Sequence, residues 1–259
     1  MMHYIYTSRF QPFNIKELAE LKWLMEESRS NQAKIVMGII NPDPTRHQGK
    51  SDPSGFWQRH NPLSYWQRYQ TIVTIINHIG CSDEVVGIVP VPGRPSQKHN
   101  MQLCENVFPP RAARKMCVPC VFMHEEENKR IKGLEKQGEE VLPIPTHAFA
   151  PRERIVFQEL VTCLMASEDS RLHDKWKCFV PEAIFGILEH ARVINTVKRH
   201  FLFDKRDPYH EIKEKWSPTE ILRDTALHEE VRRLFAGHFI EESQYHESGG
   251  TAATLGISL

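Results

Sequence analysis

The sequence has no excess of charge of either sign. Its 259 residues carry 33 Lys and Arg against 33 Asp and Glu, a formal net charge of zero. That excludes the global basic field of nonspecific nucleic-acid binders, so nucleic acid is not an expected partner. Long hydrophobic runs are also missing. No apolar stretch approaches the roughly 20 residues that cross a bilayer, so no membrane association is expected. The opening residues, Met1 to Tyr6, lack the basic region and apolar stretch of a signal peptide. The six cysteines are irregularly spaced and form no disulfide framework. They read as reduced thiols of a cytoplasmic protein. No internal repeat is present. What remains, 40% hydrophobic and 25% charged residues, is the composition of an ordinary globular protein. The length suits one large domain, or one domain with a small second one.

The front half alternates short apolar runs with helical periodicity. Residues 3–8 read as a strand and 15–28 as a helix, with Leu18, Leu21, Trp23, Leu24 and Met25 at near-helical spacing. Residues 34–41 read as a strand covered on both faces, because they are apolar nearly throughout. A polar, proline-containing loop over 41–62 precedes a helix over 63–79. Strands are expected at 84–90, 118–122 and 141–144, with an irregular basic stretch over 91–115. A charged helix over 125–137 ends at Gly138 as its C-cap. This alternation predicts a Rossmann-like doubly wound parallel sheet in residues 1–150. Helical periods at 151–166, 181–200 and 217–236 predict a helical C-terminal region, 151–242. Residues 243–259, rich in Ser, Gly and Thr, are expected to be a flexible tail.

In a doubly wound sheet, ligands bind beyond the carboxyl ends of the strands. A helix N-terminus there offers free N–H groups to phosphate. Residues 8–17 occupy that place after the first strand. Ser8-Arg9-Phe10-Gln11-Pro12-Phe13 resembles the G-R-F-Q-P-x segment of nicotinamide-mononucleotide adenylyltransferases and their H-x-G-H nucleotidyltransferase relatives. Asn61-Pro62-Leu63-Ser64-Tyr65-Trp66-Gln67-Arg68 is similar to the family's N-P-F-[ST]-x-x-E-R segment, which opens a helix. Met165-Ala166-Ser167-Glu168-Asp169-Ser170-Arg171 falls where the family carries I-S-S-T-x-x-R. Trp176-Lys177 and Val180-Pro181 follow it, as in the family's W-K-x-x-V-P ending.

The resemblance implies a Rossmann-like sheet and transfer of a nucleotidyl group, adenylyl above all, from a nucleoside triphosphate to a small phosphorylated acceptor such as a mononucleotide. It implies Mg²⁺ as cofactor and pyrophosphate as product. It also implies ligand contacts at Arg9, Phe10, Gln11, Asn14, Asn61, Trp66 and Arg68, with Arg171 at the triphosphate. Arg94 joins these candidates because it follows the third strand at its carboxyl end.

Where the family carries H-x-G-H, this sequence has Asn14-Ile15-Lys16-Glu17. Both histidines are gone. With Glu168 where the family has Ser or Thr, two carboxylates stand where a polyanion would sit. Like charges a few ångströms apart cost about 1–4 kcal/mol at effective dielectrics of 80 down to 20. Two readings of these residues stay open. In one, Asn14 and Glu17 form a capping box. In the other, Glu17 holds Mg²⁺ or acts as a general base while Lys16 replaces the phosphate contact, which makes Lys16, Glu17 and Arg171 the catalytic candidates.

Three classes of function therefore compete: a nucleotidyltransferase, a repurposed relative that binds a nucleotide or dinucleotide and does other chemistry, and a noncatalytic binding protein. Cys117-Val118-Pro119-Cys120 is a lone CxxC without a second pair, so no metal site is expected there. Homo-oligomer assembly stays open.

Overall fold

The computed structural model describes residues 1–40, 63–120, 125–145, 161–162, 165 and 174–202. The expected helix at 217–236, the tail 243–259, the 150/151 boundary, Asn61, Glu168 and Arg171 lie outside the described residues.

Five parallel strands form one sheet in the order β3-β2-β1-β4-β5. They are β1 (His3–Ser8), β2 (Lys34–Ile40), β3 (Val85–Val91), β4 (Arg114–Cys120) and β5 (Val141–Pro145). The chain starts in the middle, winds outward through β2 and β3, then crosses back beyond β1 to β4 and β5. A right-handed crossover must change faces when its direction reverses. Two separate cores record that change. Tyr4 and Tyr6 of β1, Ile35, Met37 and Ile39 of β2, and Cys117 of β4 lie in one core. Helices α1 (Ile15–Ser30) and α2 (Tyr65–Ile79) cover it through Leu18, Leu21, Leu24, Ile72, Ile75 and Ile76. Ile5, Val36, Ile40, Met116 and Val118 lie in the other. Helices α3 (Lys98–Cys104) and α4 (Glu125–Glu135) cover that face through Met101, Cys104, Ile131 and Leu134. Neighbouring residues of one strand thus alternate between two buried faces, which is why these strands read as unbroken apolar runs.

Close approach fixes one glycine. A Cβ on Gly38 would come within 2.7 Å of both Thr7 Cγ2 and Val91 Cγ2. At Gly80 the chain leaves α2 with φ 67, and at Gly138 it leaves the turn after α4 with φ 77. The expected C-cap at Gly138 thus has the left-handed backbone that favours glycine.

Two expectations are corrected. The stretch 91–115, expected to be irregular, contains α3, a 3₁₀ turn at Arg111–Ala113 and the start of β4. The fourth strand begins at Arg114 rather than 118 because the Arg114 charge is neutralised by groups distant in sequence. The single helix expected over 181–200 is broken. A 3₁₀ turn, Glu182–Ile184, leads into the short α5 (Phe185–Leu188), and α6 (Ala191–Leu202) follows after bends at residues 189–190. Trp176, Phe179, Val180, Ile184, Leu188, Val193 and Val197 attach these segments to the first core.

The amino end of the sheet is held by ions. Arg114 donates to Glu139 at 2.9 and 2.7 Å and to the Pro109 carbonyl at 2.8 Å. Burial alone would lower the Arg114 guanidinium, but Glu139 and Glu105 outweigh it and hold it above its ordinary value. The hydrogen bond from Arg111, with Arg114 behind it and burial opposing, holds Glu105 below the usual carboxylate range. A carboxylate depressed in the folded state stabilises it fully above the unfolded value and loses that contribution as pH falls through the folded one. Urea melts between pH 6 and 3 should therefore show stability falling below the ordinary value of 4.5. Glu105→Gln should flatten part of that fall, and an unchanged profile would remove Glu105 from the account.

Candidate functional site

The strand order reverses between β1 and β4. That makes the crevice beyond their carboxyl ends the place where such a sheet takes ligands. The turn from β1 into α1 forms one wall. Asn14 is the N-cap of α1, in extended backbone with φ −122 and ψ 171. Its Oδ1 accepts from the backbone N–H of Lys16 at 3.0 Å and of Glu17 at 3.1 Å. Glu17 reaches back and accepts from the Asn14 backbone N–H at 3.1 Å, which completes the capping box. The Asn14 amide nitrogen donates to the same oxygen, Oε2, at 3.2 Å. The other oxygen, Oε1, accepts from the Ser8 hydroxyl at 2.5 Å. An ordinary capping box sits in solvent, whereas Glu17 here is only 4% exposed.

One turn further on, Tyr6 of β1 donates to Glu20 at 2.5 Å. Lys16 Nζ lies 3.9 Å from the other Glu20 oxygen, with both side chains almost fully buried. The α1 end facing the crevice is thus built from buried charges bonded within the fold.

The remaining sequence candidates divide. Gln11 is fully buried. Its amide donates to the Leu63 carbonyl and accepts from the Leu63 N–H, both at 2.9 Å, which ties the β1–α1 loop to the residue before the α2 cap. Arg68 is buried as well, donating to the carbonyls of Arg9 at 3.0 Å, Ile40 at 2.8 Å and Ser64 at 3.4 Å. Burial first, then the neighbouring charge of Arg9, pulls its guanidinium down to about 9, so it stays charged at neutral pH. Arg68 therefore gathers the loops leaving β1 and β2 onto the first turn of α2. Arg9, Gln11, Asn14, Lys16, Glu17 and Arg68 come together at this end of the sheet.

The other three candidates, Phe10, Trp66 and Arg94, are placed differently. Phe10 is fully buried, stacked on Phe13 with centroids 5.4 Å apart and edge-on to Tyr6 at 5.8 Å. Its backbone has φ 51, a left-handed conformation unusual for an aromatic residue. Trp66 is 67% exposed, grouped with Tyr65 and Tyr69 on the surface of α2. At about 100° per residue it lies nearly opposite Arg68 on that helix. Arg94 is exposed in the loop after β3, the edge strand of the sheet.

One residue at this strand end, on the other side of β1, has no signal in the sequence. Arg130 of α4 donates to Thr7 Oγ1 at 3.1 Å across 123 positions. No local motif marks it. Only the crossover topology brings α4 to the carboxyl end of β1. Cys117 is buried on β4 beside Tyr6 of β1, and burial, with Glu27 adding, pushes its thiol well above the ordinary value. It is not an ionised nucleophile. Among the described residues no group of three His, Cys, Asp or Glu side chains gathers as a metal cage. Nor is any helix among them long and apolar enough to cross a membrane.

Fold and crevice define a Rossmann-like doubly wound α/β protein whose switch point is lined by buried polar side chains. No protein-family model matches the chain, and no curated protein matches it. Among solved structures it is similar to the Plasmodium falciparum nicotinic acid mononucleotide adenylyltransferase complexed with NaAD. That likeness covers 80% of this chain and 99% of the other at 13% identity, with a TM-score of 0.35.

Proposed function

We propose that this chain binds a nucleotide or dinucleotide in the crevice beyond β1 and β4, as a divergent counterpart of the nucleotidyltransferases its motifs resemble. One observation carries this reading. The β1–α1 turn holds Ser8, Asn14 and Glu17 at the switch point, and Arg130 reaches the same strand end from the opposite face. Polar groups of both layers thus meet where an open α/β sheet takes its ligand.

Adenylyl transfer from a triphosphate to a mononucleotide acceptor, with Mg²⁺ and pyrophosphate release, is the second reading. Arg9 favours it, since it places a half-buried cation in the loop leaving β1, beside the buried Arg68. The described residues do not fit a Mg²⁺ site by themselves. Both oxygens of the Glu17 carboxylate accept bonds from Ser8 and Asn14, and among the described residues no group of three His, Cys, Asp or Glu side chains gathers.

A thermal-shift panel tests the proposal: AMP, NMN, NAD and CoA, and the four NTPs with and without Mg²⁺. A ligand that binds only the folded state at 100 times its Kd adds about 2.7 kcal/mol. For a chain of this size that is on the order of 5–10 °C in Tm. A shift with AMP, NMN or NAD is expected. A Mg²⁺-dependent shift with one NTP, followed by pyrophosphate release on adding NMN, would establish transfer instead. No shift with any member would overturn nucleotide binding.

A further inference from the structure

We infer that Arg130, reaching the carboxyl end of β1 from α4, is the cation that receives the ligand's phosphate. The phosphate then lies on the α4 side of the strand ends, away from the start of α1. This deepens the proposed nucleotide binding and rests on it for the ligand class: a nucleoside monophosphate, or the corresponding phosphate of a dinucleotide.

Arg130 is half-buried and donates to Thr7 Oγ1 at 3.1 Å. Thr7 is the penultimate residue of β1 and is buried, beside the point where the strand order reverses. Its methyl leans on Gly38 of β2, so closely that a Cβ there would lie 2.7 Å away. That contact fixes the Thr7 rotamer and leaves the hydroxyl branch to Arg130. The guanidinium is thereby anchored at the strand end. Its bond to Thr7 engages one N–H of a planar fork, whose shape matches a phosphate two N–H groups at a time. The start of the first helix, where a phosphate is ordinarily held, offers less. The N–H groups of Lys16 and Glu17 already donate to Asn14, and the Glu17 carboxylate stands beside them. The wider charge points the same way. Glu17 and Glu20 on α1 are bonded by Ser8, Asn14, Tyr6 and Lys16. Arg9 stands in the loop after β1, with Arg68 of α2 bonded to its carbonyl. Together with Lys16 and Arg130 these cations outnumber the carboxylates of that group, a balance that attracts an anion.

Calorimetry on the full chain with AMP, adenosine and inorganic phosphate tests this, using wild type, Arg130→Met and Arg130→Lys. Methionine keeps an apolar stem of similar reach without the charge. Lysine keeps the charge without the fork, and decides the matter if the methionine variant does not fold. Wild type should bind AMP roughly ten- to a hundredfold more tightly than adenosine, the size of charge-assisted bonds to one phosphate. In Arg130→Met that preference should vanish while adenosine binds as before. In Arg130→Lys it should shrink, again with adenosine unchanged. A residue that only ties α4 to β1 would weaken AMP and adenosine alike when replaced, and that result overturns the inference. So does a wild type that binds AMP no better than adenosine, or a folded variant that keeps the full preference. If neither AMP nor adenosine binds, but phosphate binds the wild type and is lost or weakened in the variants, nucleotide binding is refuted and the Arg130 seat stands. Failure of all three probes to bind the wild type overturns both.

Discussion

Glu139→Ala should lower the stability of this protein by about 3–5 kcal/mol, because it strands a buried guanidinium. The Arg114 and Glu139 side chains are 0% and 1% exposed and meet at 2.7 Å. Arg111 lies 3.2 Å from the same carboxylate, Glu105 lies 3.3 Å from Arg114, and Phe108 presents its ring 5.7 Å from the Arg114 guanidinium carbon. Without Glu139, Arg114 keeps only the half-exposed Glu105 and the Pro109 carbonyl in a site with little water. The expected signature is a lower urea midpoint with an unchanged slope, which marks lost stability rather than an altered unfolded state. The double variant Arg114→Met with Glu139→Leu should recover most of the loss, since a buried pair replaced by apolar side chains of similar size is often neutral. Loss below about 1 kcal/mol in the single variant would place this pair with exposed ones. The cluster stands at the amino end of the sheet, opposite the crevice, so ligand affinity should not change with it.

The same pair explains where the sequence could and could not be read. β1, β2 and β3 were legible to within a residue or two because apolar runs between turn residues have one interpretation in an α/β chain. The α1 cap was legible from a three-residue spacing, Asn14 to Glu17, since a capping box is a local interaction. β4 was not legible at its start. Arg114 and Lys115 look like loop charges until Glu139 and Glu140, some 25 residues on, are placed beside them. Arg130 was invisible for the same reason, as its Thr7 partner is 123 positions away. Burial of Lys16 and Glu20 was hidden too. Charged side chains on a helix are expected to face solvent, whereas here the Tyr6 hydroxyl and the Lys16 ammonium meet Glu20 inside.

The crevice shows a different limit. A motif resemblance fixes where a residue stands along the chain but not which way its side chain turns. Gln11 and Arg68 stand in motif-like segments, and here their polar atoms are bonded to backbone groups of Leu63, Arg9, Ile40 and Ser64. They shape the loops from which a ligand would be held. Leaving carbonyls of Arg9 and Ile40 buried without a donor is costly. These residue types therefore serve the architecture at this strand end whatever chemistry follows.

Phe10 makes the distinction measurable, and Phe10→Ala is the second large effect expected. Its ring is fully buried between Phe13 and Tyr6 at the mouth of β1. Truncation removes the transfer free energy of the ring and leaves a cavity, at about 3–5 kcal/mol for a buried aromatic. Its left-handed backbone, φ 51, persists because the packed ring holds it. Once the ring is gone the β1–α1 loop has less to keep it there. Phe10→Ala should therefore lower the urea midpoint strongly. Ligand affinity, measured on the fraction still folded, should fall only as far as the loop relaxes. Phe10→Leu should cost clearly less, since it refills much of the space. The opposite pattern, near-normal stability with ligand binding abolished, would mean that the ring touches the ligand and that the loop opens when the crevice is occupied.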